Sequence, residues 1–202
     1  MLSRVRKTTL GLAAAIAVSL IAAASASAAC PGEGIRGAEQ TEAALERSML
    51  CLINQERGAA GVVPVVPNAM LEAAAVRHSS GMVGEGYFAH TSPAGVSFID
   101  RIRDTGYTRR AREWLVGENL VWGSGSLSSP AELVEAWMNS PTHRANLLRS
   151  RFREIGIAAV RGTAFGQLYP DGVTVSSEFG VIAGKATGRA KQRAKTSRRR
   201  KG

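Results

Sequence analysis

The chain has 202 residues, 45% of them hydrophobic, with two cysteines, three histidines and a formal net charge of +10. That charge sits at the ends: Arg4, Arg6 and Lys7 supply three positive charges and residues 185–202 nine, with no acid among them, which leaves residues 29–184 at −2. A slightly acidic centre of this size excludes nucleic acid as the expected partner, and it accommodates one hydrophobic core rather than two.

In chain order, the basic front is followed by an apolar run from about Leu10 to Ala24 and then by small residues. This order predicts an export signal over residues 1–28, cleaved after Ala28, with Ser27-Ala28-Ala29 as the alternative cleavage motif. The run is too short to span a bilayer comfortably, so no membrane span is expected after cleavage. Cys30 and Cys51 then share an oxidising compartment and are predicted to pair, tethering residues 29–43 to the first helix. Two free thiols, with Cys30 lipidated, form the alternative; Ser27 stands where lipid attachment usually wants a Leu-like residue.

Leu45, Met49, Leu52 and Ile53 recur at helical spacing and predict a first helix ending near Gly58 and Gly61. A second follows Asn68, with Leu71, Ala74, Ala75, His78 and Met82 on one face and Gly81 or Gly84 near its end. Ser97-Phe98-Ile99-Asp100 reads as a capping box opening a short third helix that closes before Gly106. Ser129-Pro130-Ala131-Glu132 opens a fourth in the same way, and Ser140-Pro141 opens a fifth with His143 in its first turn. The period then changes to two: 154–160 and 173–182 read as strands, and 115–122 as a third interrupted by Gly117. Residues 44–184 are thus expected to form one α+β domain with a layered α-β-α architecture. The tail 185–202 has too little apolar surface to order itself, and reads as a solubilising end or as a salt-sensitive attachment to anionic lipid or wall polymers.

Three polar side chains stand where packing does not ask for them. His90 lies on a loop before a Pro/Gly turn. Glu118 sits between short apolar stretches, so its carboxylate faces solvent or is held inside by a partner. His143 lies at a helix start, where free amides disfavour imidazolium and keep the ring able to donate a lone pair. His78 falls on an apolar helical stripe, which explains it as a hydrogen-bonded core residue rather than a ligand. Ser92 and Ser140 sit in no nucleophile motif and read as turn and cap residues.

Asn54-x-x-Arg57, Tyr87-Phe88-x-His90-x-Ser92-Pro93, Asp100-Arg101, Gly106-Tyr107, Gly117-Glu118-Asn119, the run from Trp137 to Pro141, His143-Arg144-x-Asn146 and Ile155-Gly156 follow one another in order. Together they resemble the bacterial branch of the CAP superfamily, the SCP-like extracellular proteins, over roughly residues 44 to 183. The resemblance implies a three-layer α-β-α sandwich and a surface cleft in which His90, Glu118 and His143 converge. In animal and plant members a second acid follows the tryptophan by three residues; here that place is Ser140. His90 and His143, with Glu118 if it ligates directly, are then candidate ligands for Zn²⁺ or another divalent cation; two imidazoles alone make a loose site.

Three function classes follow. A monomeric binding module would hold a lipid or cell-envelope ligand in the cleft, as some relatives hold sterols and other lipids. A metal-assisted hydrolase would use Glu118 as base and a histidine to hold metal or stabilise charge. A structural or signalling surface protein would carry the cleft as a vestige.

Overall fold

The computed structural model describes residues 29–185, so the expected export signal and the tail beyond Lys185 lie outside the described residues. Among the described residues five α-helices form where local chemistry starts and stops them. In α1 (Glu42–Ala59) the Thr41 side chain accepts from the Ala44 amide, and Leu45, Met49 and Ile53 make the buried stripe. The Cys30–Cys51 disulfide is formed, with Cα atoms 5.8 Å apart, within the range such a bridge needs. The extension it tethers is also held farther on, where Gly37 N donates to Ser128 Oγ at 3.0 Å and Ala131 N to the Glu33 carbonyl at 3.0 Å.

Asn68 caps α2 (Ala69–Glu85), which runs past Gly81 and Gly84 and stops at Gly86. Gly86 is left-handed at φ +71°, whereas Gly81 and Gly84 take no positive φ, so the helix ends where its glycine adopts the C-terminal cap conformation. The capping box of α3 (Phe98–Asp104) forms with both arms. In α4 (Pro130–Asn139) only the serine arm of the expected box forms among the described residues, with Ser129 Oγ accepting from Glu132 N at 3.4 Å. Ser140 caps no amide of α5 (Pro141–Leu147) with its side chain; its hydroxyl lies 3.4 Å from that of Thr142 instead.

Four strands, β1 (Val66–Pro67), β2 (Ala111–Gly123), β3 (Glu154–Arg161) and β4 (Val173–Lys185), pair in the order β1-β3-β4-β2. β1 runs parallel to β3 and the other pairs are antiparallel. A two-residue strand carries no periodic signal, so β1 has no counterpart among the expected elements. β2 passes through Gly117 unbroken because it is laddered to β4 continuously from Glu113 to Gly123, and the same ladder pairs Lys185 with Ala111, drawing the first residue of the expected tail into the sheet.

α2 and α3 cover one face of the sheet, while α1, α4 and α5 cover the other. This is the expected α-β-α sandwich. The larger core lies on the α1 side, where Trp137, Leu147, Phe152 and Phe179 pack with the α1 stripe and Phe152 stacks on Phe179. On the other side α2 rests directly on β3: a Cβ on Gly156 would fall 2.0 Å from Glu72 N, so only glycine admits this approach. Ser79 pins the contact by donating to the Ala158 carbonyl at 3.0 Å and accepting from Ser176 N at 3.0 Å. Arg57, fully buried, donates to the carbonyls of Val63, Leu147 and Phe152 at 2.9, 2.5 and 3.1 Å, tying the end of α1 to the segment between α5 and β3.

Candidate functional site

The candidate residues gather at β2, an outer strand of the sheet, which α3 contacts from one layer and α4 and α5 from the other. Two outward carbonyls of this strand are covered from the α4–α5 side: Trp137 Nε1 donates to Leu120 O at 2.9 Å and Asn146 Nδ2 to Glu118 O at 3.1 Å. Asn119 Nδ2 in turn donates to the His143 carbonyl at 3.0 Å. These bonds cover the strand edge here and fix α5, hence His143, beside β2.

Glu118 turns its carboxylate toward the α2–α3 layer, with a side chain 1% exposed. His90 Nδ1 donates to Oε1 at 2.7 Å, and Arg101 Nη2 donates to Oε2 at 2.5 Å. The same Arg101 group reaches the His90 carbonyl at 3.1 Å, so one guanidinium orients both the carboxylate and the histidine loop. His78 lies beneath, its Nε2 3.7 Å from Glu118 Oε2, with the Tyr87 hydroxyl 3.4 Å from its Nδ1. Directly across the ladder stands Glu178, fully buried and 4.0 Å from Arg101 Nη2.

These neighbours set the protonation pattern. Burial alone would raise Glu118, but the hydrogen bonds from His90 and Glu178 and the charge of Arg101 bring it below the usual carboxylate value. Glu178 is pushed well above that value, by burial first and by the Glu118 charge next. As a carboxylate it would have two buried oxygens with no donor. As a neutral acid it donates its one O–H to Glu118, which leaves only its carbonyl oxygen without a donor. The hydrogen bond to Glu118 raises His90, whereas burial lowers His78 to about 4. His143 is lowered, by burial first and by the nearby His90 second, so the direction expected from its helix position holds for a different reason.

The arrangement presents His90, 53% exposed at its side chain, and half-buried His143 at the surface, with Glu118 as the anchor behind them. Both Glu118 oxygens already accept hydrogen bonds, so for Glu118 to ligate a metal directly it would have to give up His90 or Arg101. Two imidazoles remain, and among the described residues no group of three or more His, Cys, Asp or Glu is placed to hold a metal. The donor set does not fit a closed zinc site.

Ser92 accepts from the Val96 amide, a turn role, as expected. His78 is core, as expected, but it forms the floor of the site. Two participants escape the sequence reading: Arg101 figures there only as part of Asp100-Arg101, and Glu178 not at all. The available signal for Glu178 is a lone acid inside Val-Thr-Val-Ser-Ser-Glu-Phe, seven residues with no other charge to pair it.

A sequence model of the CAP, or cysteine-rich secretory protein, family matches residues 50–177. The uncharacterized protein YkwD of Bacillus subtilis is 33% identical over 123 residues, a match spanning 61% of this chain and 45% of that relative. An outer surface protein from Borrelia burgdorferi superposes with a TM-score of 0.59 at 19% identity, over 71% of this chain and 97% of the other. An extracellular SCP-domain protein from Bacillus anthracis gives a TM-score of 0.55 at 24% identity, over 71% and 41%. At these identities the structural likeness speaks for the fold.

Proposed function

This chain belongs to the CAP family of cysteine-rich secretory proteins, and we propose that it is an exported binding module holding a lipid or other envelope-derived ligand between His90 and His143. The observation that carries this reading is the full engagement of Glu118. A carboxylate whose two oxygens accept from His90 and Arg101 is a poor general base, because both donors stabilise its charged form. It serves well as the anchor that fixes the His90 ring with Nε2 outward. The cleft then offers one imidazole drawn toward its charged form and one held neutral, beside Phe88, exposed on the His90 loop. Such a pair suits a polar or anionic head group.

Export is supported by the order of charged, apolar and small residues at the N-terminus, by the disulfide, and by the family's secretory character. No helix among the described residues is long and apolar enough to cross a membrane. The hydrolase reading needs Glu118 released from Arg101, and its metal version needs a third ligand.

The test is retention of native envelope extract by the mature protein, followed by mass spectrometry. A retained compound lost in both His90→Ala and His143→Ala, with unchanged melting temperature, supports the reading. Retention indifferent to both substitutions favours a vestigial cleft, and a turnover activity abolished by chelation favours the metal hydrolase.

A further inference from the structure

We propose that the far end of the sheet carries a second site, for a single-chain amphiphile with an anionic head. A cavity of about 490 Å³ opens between Met70 at the start of α2, the loop from Thr105 to Arg110, and Ile182 to Gly184 at the end of β4. This lies within the range of about 300 to 1,000 Å³ usual for small-molecule sites. Glu118 is seven residues along β2 from Ala111, which lines the cavity, or about 23 Å at roughly 3.3 Å per residue. The site shares no residue with the His90 cleft and does not rest on that reading.

Its chemistry is divided. Met70 and Ile182 are 47% and 40% exposed, two large apolar side chains left in water on either side of the hollow. The Tyr107 hydroxyl donates to Glu154 Oε2 at 2.6 Å, which satisfies the polar end of that lining residue within the protein. At the mouth stand Arg109 and Arg110, both exposed and in no ion pair among the described residues. Asp104 pairs with Arg77 at 3.3 Å instead, and Glu113, the acid nearest in sequence, lies outside the lining. Gly106, at φ +87°, lets Arg109 fold back over the loop: a Cβ there would lie 3.2 Å from its Nη2.

Two unpaired guanidiniums with no carboxylate in the lining call for an anionic head, and exposed Met and Ile call for a hydrocarbon chain. The chain's own basic segment 186–202 has the wrong charge to fill the hollow.

Calorimetric titration of the mature protein with decanoate, decyl phosphate, decanol and decyltrimethylammonium, all below their micellar concentrations, tests this. Decanoate is expected to bind one site about tenfold or more tighter than decanol, with no binding of the cation. The Arg109→Ser/Arg110→Ser double variant should bring decanoate to the level of decanol, and Met70→Asp should abolish both. All three substitutions are at exposed positions, and an unchanged melting temperature verifies the fold. His90→Ala should leave decanoate binding intact. Equal affinity for acid and alcohol, failure of decyl phosphate to bind, binding that survives Met70→Asp, loss in His90→Ala, or no binding at all would each overturn the assignment.

Discussion

Glu118 and Glu178 face each other across the β2–β4 ladder, both buried, with Arg101 Nη2 2.5 Å from an oxygen of the first and 4.0 Å from an oxygen of the second. Two carboxyls this close do not both ionise in a dry interior, and the neighbours decide which one keeps its proton. Glu118, bonded to His90 and Arg101, stays charged. Glu178 stays neutral.

The native state therefore holds a proton on Glu178 that the unfolded chain releases. Because the folded value lies above the unfolded one, this contribution to stability is complete below the unfolded carboxyl value near 4.5 and is lost as pH rises toward the folded value. Glu178→Gln keeps a neutral donor and removes the titration. Thermal unfolding followed upward from the unfolded value of 4.5 should show the wild type losing ground to Glu178→Gln as pH rises; parallel curves would contradict the assignment.

His78 gives the opposite slope at lower pH. Its folded value is about 4 against 6.5 unfolded, so the unfolded chain binds the proton first, and stability rises with pH across that window. At about 1.4 kcal/mol per pH unit, acidification from 6.5 to 4 removes roughly 3 kcal/mol. His78→Gln should flatten the curve in denaturant melts over that range.

Arg101→Met leaves the Glu118 charge buried without its guanidinium, a change that typically costs about 3 to 5 kcal/mol. Arg101→Lys should restore only part of this, because one ammonium cannot reach Glu118, the His90 carbonyl and the Val96 carbonyl from the same plane. Chemical denaturation of the two variants distinguishes them.

The surface imidazoles should titrate apart. His90 is raised by the Glu118 hydrogen bond and His143 is lowered by burial and by His90, so NMR titration should place them on opposite sides of 6.5. Glu118→Gln should bring His90 down and leave His143 closer to its original value.

Cys51→Ser opens the bridge that pins the N-terminal extension. A loop of this length gives a loss of about 3 kcal/mol in the chain-entropy picture, measurable as a lower unfolding midpoint.

What the sequence determined by itself was local. Thr41, Asn68 and the Ser97–Asp100 box start their helices through side chains that reach amides two or three residues on, and the apolar stripe of α1 needs only its own spacing. The family motifs added the order of the pieces and the expectation that His90, Glu118 and His143 share one cleft. The tertiary structure alone decided that Glu118 is an anchor. Its partners His90 and Arg101 lie 28 and 17 residues away, and Glu178 meets it only through strand register. A buried charge is defined by what surrounds it. Those surroundings are assembled by long-range packing, which no window of neighbouring residues records.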